Sequence, residues 1–204
     1  MIEIGQHKLR HGDIHEDLTE LIWKPCSVDI LYVDPPWGVG NLKYWQTLNA
    51  KMTGAEKKPV NYEQFIKRIF SLAKFYCRDL FFLEYGIRWE NDCREMGEKY
   101  GFYHSGLAHP VYGNKNMPLH LHIFSKSNTY LSPDYLQSIH GTKGFQTSLA
   151  ATQQYAVPGG IVFDPCCGLG YSARLAVQYK MQFRGNELNS MRLKKTADFL
   201  RGTI

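Results

Sequence analysis

The chain lacks any apolar run near the ~20 residues that cross a bilayer, and its opening, MIEIGQHKLRHGD, has no apolar leader core. A soluble, unexported, cytoplasmic protein with no membrane partner is expected. Cysteine is sparse and unpatterned: Cys26, Cys77, Cys93, Cys166 and Cys167 are odd in number, and no pair has the Cys-x-x-Cys spacing of zinc or redox sites. That excludes a disulfide scaffold and predicts free thiols in a reducing compartment. Repeats and low-complexity tracts are absent too, which argues against a solenoid or a disordered tail. Neither sign of charge dominates. The 24 Lys and Arg against 19 Asp and Glu leave a net +5, a modest excess that suits a polyanionic partner and equally an ordinary enzyme.

What is present is a regular alternation of apolar and amphipathic segments. With 204 residues and 44% hydrophobic side chains, one domain spanning 1–204 with a single sizeable core is expected. IEIGQHKLRHGD reads as a strand running into a Gly-Asp turn, IHEDLTELI as a short helix and VDILYVD as a buried strand. Residues 38–61 read as a loop. Apolar positions at helical spacing follow from Phe65 to Phe75, then a strand at DLFFLEYG and a helix at IRWENDCREMGEKYG. FYHSGLAHPVYG and MPLHLHIFSKS read as two further strands, the second placing His120 and His122 on one face as ordinary sheet residues. Residues 127–140 read as a polar connector. Helix, strand, helix, strand, helix complete the chain. Strands alternating with helices indicate an α/β fold with a mostly parallel sheet.

Two stretches call for chemistry. In DILYVDPPWGVG an apolar strand ends in Asp34-Pro35-Pro36-Trp37. Neither proline has an N–H and each fixes its φ, so the strand end is held rigid; a stiff turn beside a core tryptophan would use the same residues. In IVFDPCCGLGYSARLA a short strand ends at Asp164, and Gly168 and Gly170 lead into a helix. Glycines there let a ligand approach the backbone, and the helix start offers unpaired N–H groups. The next strand ends some 20 residues on at Glu187, an acid placed for ribose hydroxyls. Together these make a nucleoside-cofactor half-site.

Asp-Pro-Pro-Trp resembles the catalytic motif of methyltransferases that modify the exocyclic amine of adenine or, less often, cytosine. FDPCCGLG resembles their S-adenosylmethionine loop and RGNEL their ribose-binding strand end. The catalytic motif precedes the cofactor loop, as in the circularly permuted beta class. The resemblance implies a Rossmann-like, seven-stranded, mostly parallel sheet with one antiparallel strand. It divides the domain into a catalytic half, 1–126, and a cofactor half, 140–204. It also implies cofactor contacts from Asp13, His140, Lys143, Asp164, Pro165, Cys166, Gly168, Gly170, Asn186 and Glu187. From sequence alone, Asp13 reads equally as a helix cap and Lys143 as a solvated loop lysine. Cys166, Cys167 and Leu169 depart from the family's usual loop residues. Adjacent cysteines cannot readily chelate one zinc, so small buried fillers suit them better, and no metal is called for.

The motif also makes chemical sense. The adenine amine lone pair is delocalised into the ring, so two acceptors that hold both amine hydrogens are more useful than a strong base. Asp34 and the Pro35 carbonyl can be those acceptors, preorganised by the Pro35-Pro36 pair, and Trp37 offers a flat face to a base swung out of its stack. Lys43, Lys51, Lys57 and Lys58 lie in the 38–61 segment against one acid, Glu56. They are expected to touch phosphates as that segment closes over the strand, although a solvated surface has the same composition. DNA is the expected substrate, with RNA adenine or cytosine N4 as alternatives. A non-catalytic subunit of a methyltransferase complex is a further one, disfavoured by the intact Asp34 and glycine pair. No separate target-recognition domain fits, so specificity is low, loop-borne, or supplied by a homodimer partner or specificity subunit.

Overall fold

A computed structural model describes residues 1–56 and 61–203 of the chain. The strands β1 (Ile2–Ile4) and β2 (His7–His11) form a hairpin, and β3 (Ile30–Val33) is the strand that ends before Asp34. Next come α1 (Gly38–Thr53), α2 (Tyr62–Tyr76), β4 (Phe81–Tyr85) and α3 (Glu90–Lys99). β5 (Tyr103–Ala108), a small hairpin of β6 (Val111–Tyr112) and β7 (Met117–Pro118), and β8 (His120–Ser125) follow. The remainder is α4 (Pro133–Ile139), α5 (Phe145–Thr152), β9 (Ile161–Asp164), α6 (Tyr171–Gln178), β10 (Gln182–Glu187) and α7 (Ser190–Arg201).

The main sheet has the order β1-β2-β10-β9-β3-β4-β8-β5. From β2 to β4 every neighbour is parallel, while β8 runs antiparallel to β4 and β5, and β1 antiparallel to β2. The mostly parallel α/β sheet is thus as expected, with an eighth strand beyond the seven anticipated. That strand arises because Gly5, at φ +53°, folds the first apolar run back on itself.

Because side chains alternate across a strand, the sheet buries two cores. Ile30, Tyr32, Phe82, Leu121 and Ile123 face Leu175, Ala176 and Leu193. Leu31, Val33, Phe81, Leu83 and Phe124 face Ile69, Phe70 and Phe102. Each such side chain contributes roughly 1.5–3 kcal/mol by burial, and burial on both faces explains why these strands read as near-continuous apolar runs.

The two strands read at 102–113 and 117–127 each split in two, as β5 with β6 and β7 with β8, and three other segments differ from the sequence reading. Residues 38–53 form a helix, not a loop: Leu42, Trp45 and Asn49 recur at helical spacing toward the interior, and Gly54 ends the helix with its N–H on Ala50 O at 2.9 Å. The loop expected over 38–53 is therefore corrected to a helix; Lys57 and Lys58 lie outside the described residues. Residues 14–22, expected to be helical, form turns. Asp13 Oδ1 accepts from His15 N at 3.0 Å and Asp17 Oδ1 from Thr19 N at 2.9 Å, local bonds that compete with a helix ladder. The 127–140 connector contains α4, started by Ser132 Oγ accepting from Tyr135 N at 3.2 Å and held by buried Tyr135 and Ile139.

Candidate active site

The parallel strands β3, β9 and β10 all end on one edge of the sheet, where an α/β fold binds ligands. A cavity of about 900 Å³ opens there, lined by both motifs: Asp34-Pro35-Pro36-Trp37, Asp164-Pro165-Cys166, Gly168, Asn186 and Glu187. Asp13 and Lys143 also line it. His140 does not. It stacks on His109 with ring centroids 4.8 Å apart, in a row with His120, His122 and His104 on another part of the sheet. Lys43 and Lys51 are exposed and outside the lining, since α1 turns Asn41, Leu42, Trp45, Gln46, Leu48 and Asn49 inward.

The β9–α6 turn is tightly tied. Asp164 Oδ1 accepts from Cys166 N at 2.9 Å and Oδ2 from Ser172 Oγ at 2.5 Å. Glu187 Oε2 accepts from Gly168 N and Oε1 from Asn189 N, both at 2.8 Å. Asn186 accepts from Arg10 Nη1 at 2.9 Å and donates to Gly12 O and Pro165 O at 3.1 and 3.2 Å. Asn186 therefore stitches β2, β9 and β10 together where it lines the cavity. Gly168, at φ +49°, sits where a Cβ would meet nothing nearer than Cys166 O at 3.8 Å, so its open side belongs to the cavity. Gly170 lies outside the lining and instead packs on Thr196, where a Cβ would come within 2.8 Å. Cys167 is buried and Cys166 half-buried, and both line the cavity.

At the other end of the cavity, Asp34 is exposed to solvent through the cavity, with protein packed around its carboxyl. Burial pushes its carboxyl up to about 6, opposed by the nearby Trp37 indole and by the Arg192 charge. The indole Nε1–H meets no acceptor with hydrogen-bond geometry and remains a buried, unpartnered donor. Its influence on Asp34 is therefore one of proximity. The Trp37 ring meets Tyr112 edge-on at 4.9 Å, which brings the β6–β7 hairpin to the cavity mouth. Asp164 is raised to about 7 by burial, against its bonds from Ser172 and Cys166. Burial also raises Glu187, opposed by the two backbone N–H groups it accepts.

Sequence reasoning missed several lining residues. Glu84, one strand from Asp34, was visible only as a lone acid in an apolar strand. Tyr112, Asn49 and Arg192 carried no signal. Arg192 reaches the cavity from α7 and lies over the Trp45 ring at 3.9 Å, linking α7 to α1.

No family model matches the chain, and no curated protein matches it in sequence. Solved structures do match in shape. A candidate DNA modification methylase of Thermus thermophilus, complexed with S-adenosyl-L-methionine, superposes with a TM-score of 0.70 at 13% identity, covering 97% of this chain and 94% of that one. M1.HpyAVI in its S-adenosylmethionine complex gives 0.68 at 15%, covering 95% and 98%. PvuII DNA methyltransferase, which is cytosine-N4-specific, gives 0.68 at 11%, covering 96% and 86%. At these identities the likeness establishes the fold: the chain has the α/β fold of S-adenosylmethionine-dependent methyltransferases.

Proposed function

We propose that the chain transfers a methyl group from S-adenosylmethionine to the exocyclic amine of a nucleic-acid base, N6 of adenine in DNA, in the permuted beta arrangement. The observation that carries this reading is the convergence of Asp34–Trp37 with Asp164, Gly168 and Glu187 on one cavity. Cytosine N4 is the second reading, favoured by the likeness to the PvuII enzyme. RNA adenine is the alternative acceptor that Asp-Pro-Pro-Trp with GNEL suggests.

The lining suits a cationic nucleoside cofactor. Even with Glu84 and Asp164 protonated, Asp13, Asp34 and Glu187 outnumber Lys143 and Arg192. Each Glu187 oxygen accepts one backbone N–H and keeps a second lone pair, enough for two ribose hydroxyls. When bound, the cofactor supplies an electrophilic methyl on a sulfonium. The chain's part is positioning. The Asp34 carboxylate accepts one amine hydrogen and the Pro35 carbonyl the other, which turns the nitrogen lone pair toward the methyl. As the amine loses its proton, an Asp34 carboxylate oxygen receives it and passes it to solvent. Trp37 stacks the extruded base, worth roughly 1–3 kcal/mol. Target choice falls to the cavity-mouth β6–β7 hairpin, where Tyr112 meets Trp37, or to a second subunit.

Radiolabelled methyl transfer to duplex DNA, single-stranded DNA and RNA in parallel, with digestion to nucleosides, tests the reading. Labelled N6-methyldeoxyadenosine is expected. N4-methyldeoxycytidine would move the acceptor to cytosine, and no label in any substrate would sink the proposal.

A further inference from the structure

Glu84 is the only acid in β4, whose sequence is FFLEY and whose five residues are all buried. The carboxyl lines the cavity. One oxygen, Oε1, is occupied: the Tyr32 hydroxyl donates to it. The other has no hydrogen-bond donor among the described residues and is not sealed in the core. In the parallel pairing of β3 with β4, Tyr32 lies beside Phe82 and Val33 beside Leu83. Continued by one residue, that register sets Asp34 beside Glu84 on the same face, on chains about 4.8 Å apart, and both residues line the cavity.

Burial first, and then the like charges of Asp34 and Asp164, raise the Glu84 carboxyl well above the usual carboxylate range against the hydrogen bond from Tyr32, and so favour its protonated form. A neutral carboxyl that accepts at one oxygen has an O–H to give at the other. Beside Asp34, which accepts from an amine, this makes an acceptor next to a donor. That pair matches the edge formed by an exocyclic amine and its adjacent ring nitrogen, which is an acceptor.

Resting on the function proposed above, we propose that Glu84 donates a hydrogen bond to the ring nitrogen beside the methylated amine, N1 of adenine or N3 of cytosine. Asp34 and Glu84 then read the base edge at two points. Guanine N1 and uracil N3 carry hydrogens, so either base would set donor against donor and be rejected.

The test uses oligonucleotides in which the target adenine is replaced by 1-deazaadenine, or 3-deazacytosine if cytosine is the base labelled. Both kcat/KM and oligonucleotide affinity are measured, with the melting temperature of each variant. Wild type is expected to prefer the natural base by about 10- to 100-fold, the size of a lost hydrogen bond that strands a buried group. Glu84→Gln, whose carbonyl can still serve Tyr32 and whose amide can still donate, keeps most of that preference. Glu84→Leu treats the two substrates within about twofold, and this ratio cancels any intrinsic difference between the bases. A wild type indifferent to the deaza base, or a Glu84→Leu protein that still discriminates, overturns the inference while leaving methyl transfer standing. Should Glu84→Leu fail to fold, the wild-type and Glu84→Gln ratios decide. Absence of any methyl transfer by wild type removes both proposals at once.

Discussion

The two walls of the cavity are built differently. The wall from β9 and β10 is fixed by a hydrogen-bond mesh: Glu187 holds Gly168 and Asn189, Asp164 holds Cys166 and Ser172, and Asn186 spans three segments. The α1 wall has no side-chain cap at its N-terminus. It meets α7 through the Trp45–Arg192 stack and a weak contact of Asn189 Nδ2 to Met52 Sδ at 3.7 Å. One wall is preorganised by bonds internal to it, while the other leans on a few side chains reaching across. Removing a group from the first should therefore change chemistry or binding strongly, and loosening the second should change it mildly.

The largest expected effect is at Asp34. Asp34→Ala should lower methyl transfer by about 10²- to 10³-fold, as loss of a preorganised acceptor does, with S-adenosylmethionine affinity by calorimetry near wild type. If turnover stayed normal, Asp34-Pro35-Pro36-Trp37, at the end of β3 between the two walls, would not be the catalytic motif. Next is Glu187→Ala, expected to weaken cofactor binding by roughly 10- to 100-fold and to remove most of the cofactor-induced rise in melting temperature. Unchanged affinity would move the nucleoside pocket elsewhere.

The pH dependence should be intermediate in size. Asp34 must be ionised to accept an amine hydrogen, so the rate should climb as pH rises through about 6, and Asp34→Asn should flatten that limb. Stability should run the other way. Asp34, Asp164 and Glu84 have folded-state pKa values raised above their ordinary ones, so at these three sites the folded chain holds protons that the unfolded chain has lost. Melting temperature without ligand should therefore fall between pH 7 and 8, above the range in which His7, His104, His120 and His122, pushed down by burial, act in the opposite sense; a rise there would contradict these shifts.

The mildest effects belong to α1. Trp45→Ala should cost about 0.5–2 kcal/mol through loss of the cation–π contact, seen as faster amide exchange in 38–53 with little change in cofactor affinity. Lys43→Gln with Lys51→Gln should lower the salt slope of nucleic-acid binding by up to about one per lysine. Equal slopes would leave both as ordinary surface lysines.

The tied wall was also the legible one. Short apolar runs that end in an acid followed by prolines or glycines announce a strand and its ligand-facing end, and both motifs read that way. The α1 wall was hidden. Two glycines near its start and scattered lysines mask a weak stripe of Leu42, Trp45 and Asn49, whose inward face exists only because α2 and α7 lie beside it. Turns at 14–22 were misread because apolar spacing carries no record of Asp13 and Asp17 bonding their own backbone. Glu84, Tyr112 and Arg192 come from β4, the β6–β7 hairpin and α7, and their meeting is a product of topology.

The ends of the sheet limit how copies of this chain could assemble. β1, at one edge, is only three residues long, and β5, at the other, has its pairing with β8 interrupted between His104 and Gly106. Short and kinked borders are poor templates for a strand from another molecule. A symmetric dimer made by continuing the sheet across a twofold axis is thereby disfavoured, and association would have to use helical or loop surfaces. Aggregation through strand addition meets the same obstacle.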